Sequence, residues 1–273
     1  MGAILFFLAL SAATAQDIGS VPPVDPAALS SARFLSPLDV RAPSTAATSL
    51  PQMTPEVALN AYLTFAKRQL VDLGAYSDIT TIEADLPDSK QHGKYELRRY
   101  FQAPRSLAFA ALHFAGDGFV KTNIIARVLQ SEVDHVQRGE GAQTAITAEN
   151  YKFSYRGFDK TIDGRTSYIY QVKPRKKRQG LFKGQVLIDS SSGRLRRAEG
   201  EMVKSPSFFI KHIHFVQEYA DCGPFSLPAH IHSEARTRLV GRAVVDMSHT
   251  NYRAITLGEL RSASAASVGG SSN

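Results

Sequence analysis

The feature that most constrains this chain lies at residues 181–203, where two β-rich runs flank a Ser/Gly turn. Residues 181–189 and 194–203, joined through Ser190, Ser191, Ser192 and Gly193, read as a hairpin. In the first run Phe182, Gly184, Val186 and Ile188 share one face, and Lys183, Gln185 and Asp189 share the other with Leu181 and Leu187. The second run sets Ala198, Gly200 and Met202 on one face, side chains so small that the surface beneath them stays open unless another element fills it. A chain built around such a wall must bring something to cover it.

The β pattern extends over residues 149–253. Tyr151, Phe153 and Tyr155 alternate with Lys152, Ser154 and Arg156, residues 157–164 read as a turn, and Tyr168, Tyr170 and Val172 repeat the pattern against Ser167 and Gln171. One face of these strands is aromatic. Beyond the hairpin come a strand at 212–219, a loop at 220–228 and strands at 229–240 and 243–252. Upstream, strands are expected at 79–86, 94–102 and 106–114. The second alternates Tyr95, Leu97 and Phe101 against Lys94, Glu96 and Arg98; the third is apolar on both faces and is expected to be covered on both sides.

Two helices supply the cover. Thr54 is an N-cap, Pro55 opens the first turn and Gly74 gives a stop; Leu59, Tyr62, Leu63, Ala66, Leu70 and Leu73 form one stripe between them. Residues 119–138 set Ile125, Val128, Leu129, Val133 and Val136 on one face before Gly139. A helix inserted within an antiparallel sheet must cover one of its faces, which makes the class α+β.

The ends read differently. The apolar run 3–10 is too short to span a bilayer and leads into Ala13, Thr14 and Ala15, a small-x-small cleavage pattern. Residues 1–15 are therefore expected to be a signal peptide, although the basic n-region is missing and an ordinary apolar N-terminus is the alternative. Residues 16–53 read as a flexible spacer, 54–257 as one folded domain, and the Ser/Ala/Gly-rich 258–273 as a disordered tail. No cysteine stands immediately after the cleavage point to be acylated, so an exported form is expected to be soluble, periplasmic or secreted; a monomer is expected as well. Cys222 is the only cysteine and can form no internal disulfide.

Net charge is +7, and the densest basic run is Lys173, Pro174, Arg175, Lys176, Lys177 and Arg178. Such a run meets nucleic acid, an anionic lipid surface, or water alone. Export and the absence of a base-stacking motif disfavour nucleic acid, leaving an acidic-headgroup contact or a solvated turn.

Catalytic and metal chemistry find little support. His212 and His214, and His230 and His232, form two His-x-His pairs on consecutive strands. A hairpin centred near Pro224 sets Glu218 across from His230 and His214 across from Glu234, so solvent-face acid/His pairs are expected and no metal. Asp159, Asp163 and Asp189 fall at turns or strand ends. Glu199 and Glu201 share a face beside Arg194, Arg196 and Arg197, so surface ion pairs are expected rather than glycosidase acids. With no nucleophile elbow, phosphate loop or nucleotide fingerprint, neither an enzyme nor a cofactor is expected.

An ordered set of short pieces carries a resemblance: Tyr151 to Phe153, Gly164 to Tyr170, Val172 to Arg175, Leu181 to Gly184, Glu199 to Glu201, Lys204 to Lys211, Phe225 to Pro228, Val240 to Ala243, and Tyr252 with Arg253. Together they resemble bacterial outer-membrane lipoprotein-sorting-like proteins of the LolA/LolB-like superfamily. The resemblance implies a strongly curved, incompletely closed antiparallel sheet, a half barrel of roughly ten strands, with helices covering its concave face. It also implies a carrier that binds acyl chains of lipids or of acylated proteins in that hollow. Some branches are instead envelope sensors or scaffolds, which stands as the alternative. On this reading Tyr151, Phe153, Tyr168, Tyr170, Val186, Ile188, Met202 and Phe215 line the acyl cavity. The other possibility is plain hydrophobic core, since strand parity gives both the same apolar face.

Overall fold

A computed structural model describes residues 52–160, 165–205, 210–238 and 240–254. The signal-peptide reading of 1–15, nearly all of the spacer, Asp163 and the tail at 258–273 lie outside them. Helix α1 (Pro55–Asp72) precedes three strands, β1 (Ala75–Leu86), β2 (Gln91–Gln102) and β3 (Ser106–Gly116). Helix α2 follows as one run of three parts: a turn at Gly118–Val120, a π-helical segment at Lys121–Ile125, and Ala126–Gln137. After the short α3 (Gly141–Thr144) come β4 (Tyr151–Lys160), β5 (Thr166–Pro174), β6 (Phe182–Asp189), β7 (Leu195–Met202), β8 (Ile210–Cys222), β9 (Phe225–Thr237) and β10 (Arg242–Ala254).

All ten strands join one antiparallel sheet in the order β3-β2-β1-β10-β9-β8-β7-β6-β5-β4. The two edges, β3 and β4, are neighbours in the chain, separated only by the helical segment. The chain leaves the sheet at one lip, runs α2 through the hollow and re-enters at the other lip. This is the α+β half barrel expected, with the inserted helix packed on the concave face.

One row of paired residues crosses the whole concave face: Phe153, Val172, Gly184, Gly200, Phe215, Ser233, Val245, Ala84, Gly93 and Gly116. Six of the ten are Gly, Ala or Ser, so the middle of the face is hollowed, and there the helices come close. Val120 of α2 lies 3.0 Å from where a Cβ on Gly93 would stand. At β6 and β7 the backbones themselves pinch: a Cβ on Gly184 would fall 1.9 Å from the Glu199 carbonyl oxygen and 2.6 Å from Gly200 Cα. Paired glycines at such a point admit the close approach and local bend that side chains forbid.

Three local expectations are corrected. Strand β3, expected to be covered on both sides, is an edge strand with most of its residues exposed; its apolar content is largely alanine, too small to demand a second layer. Residues 157–160 continue β4 instead of turning, because Gly157 takes φ +137° at a register shift and so absorbs a bulge. The loop at 220–228 contracts to Gly223 and Pro224, with β8 running to Cys222 and β9 starting at Phe225. Pro228 is tolerated in the strand because it sits at the shift between Glu218 and Tyr219.

The pinch gives a direct check. Gly184→Ala should cost about 3 kcal/mol by chemical denaturation, the upper end of overpacking penalties. Gly74→Ala, with nothing within 4 Å of the added methyl, should be neutral or stabilise by about 0.5 kcal/mol.

Candidate functional site

The hollow is divided between two helices held by different chemistry. Under α1 lies the aromatic wall of β4–β7. Tyr151, Tyr168, Tyr170, Val186, Ile188 and Phe215 are buried together there with Ala58 and Tyr62 of α1, and Phe153 and Met202 pack at the margin, partly buried. The structure thus brings all eight sequence-selected residues to one place, beneath a helix. Phe182 and Phe215 meet edge to face at 5.0 Å between centroids, next to the Gly184–Gly200 pair. The enclosed space beside Tyr62, Gln69, Ile146 and Tyr219 measures only about 30 Å³, room for about one water.

Helix α1 is lightly attached for an element in that position. Its N-cap is Thr54, whose hydroxyl accepts from the Val57 amide, as expected from the sequence. Of its eighteen residues only Ala58, Tyr62 and Gln69 are buried. Leu59, Leu63 and Ala66 pack partly buried on the same wall, Lys67 forms an exposed ion pair with Glu149 at 2.8 Å, and Arg194 lies over the Phe65 ring. The buried polar contacts of the helix are neutral hydrogen bonds. The Tyr168 and Tyr170 hydroxyls donate to the Met53 and Pro55 carbonyls, and Tyr62 donates to Ile146 at 2.8 Å. Gln69 exchanges two hydrogen bonds with the Ser226 backbone. Each such bond contributes about 0.5–1.5 kcal/mol net.

Helix α2 is anchored differently. Val120, Ile124, Ile125 and Val128 are buried against β1, β2 and β8–β10. Farther along, Glu132 reaches Arg99 of β2: its Oε1 accepts from Nε at 3.0 Å and from Nη2 at 2.6 Å. Arg99 Nη1 donates to Tyr76 at 2.7 Å and to Asp78 at 3.2 Å, and Asp78 Oδ1 accepts from Thr80 and lies 3.0 Å from His249 Nδ1. Arg99, Asp78 and Glu132 are at most 2% exposed. Burial alone would raise the Asp78 carboxyl, but the His249 hydrogen bond and the Arg99 charge outweigh it and hold it below the usual carboxylate range. Burial likewise lowers Arg99 and is outweighed, chiefly by Glu132, so the guanidinium is more firmly protonated than usual. Tyr76 is pushed up to about 12, mainly by burial.

Sequence reasoning missed this network. The available signal was parity: Arg99 shares its face with Tyr95, Leu97 and Phe101, and an arginine on an apolar face needs a buried partner. Gln217 was missed for the same reason. It sits on the concave face between Ala198 and Ile231, fully buried, and its amide finds no partner among the described residues.

At the end of the barrel, between the β8–β9 turn and the β1–β10 ends, lies an open groove of 560 Å³ lined mainly by apolar groups, Leu73, Tyr76, Cys222, Phe225, Leu227 and Tyr252 among them. Cys222 is half-buried there, and burial and Asp221 raise its thiol pKa.

The outer face follows its predicted register. His214 stands across from Glu234 and Glu218 across from His230, while His232 bonds Asp246 at 2.9 Å. Among the described residues no cluster of three potential ligands is arranged to hold a metal ion. Asp189 caps the hairpin turn, accepting from the Ser191 and Ser192 amides and hydroxyls; these bonds overcome burial and bring it down to about 2. Glu199 bonds Gln185 and Arg197. No helix among the described residues is long and apolar enough to cross a membrane.

No protein-family model and no curated protein matches the chain. Among solved structures it is similar to a LolA superfamily protein from Nitrosomonas europaea, at 11% identity over 74% of this chain and 96% of that one, TM-score 0.35. It is also similar to a DUF1329 family protein from Desulfovibrio piger, at 11% over 73% and 94%, TM-score 0.36. A third is a domain described as an outer membrane lipoprotein-sorting protein from Vibrio parahaemolyticus, at 10% over 75% and 97%, TM-score 0.36. The architecture itself is an open antiparallel α+β half barrel.

The buried clamp predicts a specific stability pattern. Glu132→Ala should cost about 3–5 kcal/mol in urea denaturation, because it removes the carboxylate that takes two of the buried guanidinium's hydrogen bonds and leaves Asp78 to answer the Arg99 charge. Arg99→Met combined with Glu132→Leu should recover most of that loss.

Proposed function

We propose that the protein is a non-enzymatic carrier of acyl chains, those of lipids or of acylated proteins, which takes its cargo against the aromatic wall of β4–β7 by exchanging it for α1. The observation that carries this reading is the contrast between the two helices. α1 covers the most apolar part of the hollow with three buried residues, whereas α2 is fixed by a buried ion pair. A cover that leaves at modest cost and a plug that stays are what reversible loading needs.

The energies are of matching size. Burying a large apolar side chain contributes about 1.5–3 kcal/mol. A sixteen-carbon chain hidden from water gains about 0.8 kcal/mol per methylene, or about 12 kcal/mol. Displacing α1 is therefore offset by a guest arriving from water, and the exchange is near balance with a bilayer, which also shelters the chain. The open groove of 560 Å³ beside Tyr76 and Phe225 lies within the usual range of ligand sites, about 300–1,000 Å³, and offers a second apolar surface. On this reading the protein works as a monomer in the periplasm or outside the cell.

Native mass spectrometry of protein purified from cells should find acyl lipid bound. Removing the two tyrosine hydroxyls that hold the start of α1, by Tyr168→Phe with Tyr170→Phe, should lower stability by about 1–3 kcal/mol and speed uptake of a fluorescent fatty acid several-fold. A protein that emerges empty and takes up no acyl chain, with exchange unchanged in the double variant, would leave the scaffold reading in its place.

A further inference from the structure

We propose that the free edge of the half barrel at β4, with the outer face of β4–β6 behind it, docks on an anionic membrane surface. Charge points there first. Residues 151–185 hold ten Lys or Arg and two Asp, a net of +8, while the whole chain holds 32 and 25, a net of +7. The rest of the sequence is thus one charge negative. Strands β4, β5 and β6 are adjacent at one lip of the sheet and carry Lys152, Arg156, Lys173 and Lys183, and the connection between β5 and β6 carries Arg175, Lys176, Lys177 and Arg178.

Within that region the cations are set against one another. Lys152 pairs directly with Lys173 across β4 and β5, and Lys183 lies alongside on β6, one step beyond the Val172–Gly184 pair. All three are exposed and make no ion pair among the described residues. Like charges facing across a sheet are unfavourable, so an outside anion relieves the arrangement. Lys176 and Lys177 add to it from a turn that is tied down on both flanks, by Arg175 to the Ala148 carbonyl at 2.7 Å and by Arg178 to Gln143. The patch ends at β7, where Glu201 stands across from Lys183.

The second observation is aromatic. Tyr155 and Phe158 are 45% and 62% exposed on the same edge strand, and both point to the concave side, paired with Tyr170 and Tyr168. Strand β4 therefore carries Tyr155 and Phe158 on one face and Lys152 on the other. A nucleic acid tracking the lysines would find no ring to stack on. A bilayer met edge-on touches both, with the rings at the headgroup boundary and the cations among acidic headgroups. Docked in this way, the gap between β3 and β4 faces the membrane. The inference stands without the carrier reading, because its test follows the protein and not a cargo.

The test is cosedimentation of the full chain with vesicles of phosphatidylcholine alone or mixed with phosphatidylglycerol, alongside a duplex DNA oligonucleotide. Binding is expected to the mixed vesicles and not to phosphatidylcholine, and should vanish near 1 M salt, where the Debye length is about 3 Å. The triple variant Lys152→Gln, Lys173→Gln and Lys183→Gln should weaken partitioning about 100-fold, and Phe158→Ser about 10-fold, each with an unchanged circular dichroism spectrum. The proposal is overturned by absent or lipid-indifferent binding, by wild-type partitioning in either variant, or by tighter binding to the DNA than to the mixed vesicles at equal salt.

Discussion

A guanidinium withdrawn from water must be answered by other charges, and Arg99 imposes that demand on everything around it. Its answer comes from two directions at once: from Asp78 on the neighbouring strand and from Glu132 on α2. Because Glu132 lies on the helix that joins the two lips of the sheet, the ion pair fixes where that helix rests. The position of α2 then sets how far the sheet can close and how much of the concave face remains for another element. Buried pairs of this kind add little net stability compared with apolar packing, but breaking one is costly, so they act as selectors of one arrangement.

The row of small residues makes the selected arrangement possible. Bulky neighbours flank it: Tyr170, Val186, Ile231, Met247, Ile82 and Tyr95 lie in the next row of pairs. A helix can sink between such ridges only where Gly93 and Ala84 leave room, and the Gly184–Gly200 pinch lets the sheet bend on the other side. The consequence is a hollow with unequal halves. One is closed by aliphatic packing and a charge clamp, and the other by a helix resting on aromatic rings through tyrosine hydroxyls.

Much of this was legible in the chain. Alternation assigned the inner and outer faces of β4–β7 correctly, and a turn centred near Pro224 was enough to place His214 against Glu234. Sheet order was not legible in residue pattern: nothing local to Ala-rich β3 says that it has a neighbour on one side only. Gly157 could serve a turn or a bulge, and only its pairing with Ile169 on β5 decides between them. Arg99 went unread because the strand's alternation was taken from its apolar members alone. The eight wall residues illustrate a deeper limit, since a side chain facing a guest and one facing α1 obey the same parity.

Amide hydrogen exchange resolved along the chain, with and without acyl lipid, tests the central claim most directly: that one helix is a cover and the other a plug. The amides of α1 should exchange through an opening at least about 2 kcal/mol below that of α2, and added lipid should change protection in α1 while leaving α2 as it was. If both helices exchange together with global unfolding, and lipid alters neither, the division of the hollow into a movable and a fixed half is wrong.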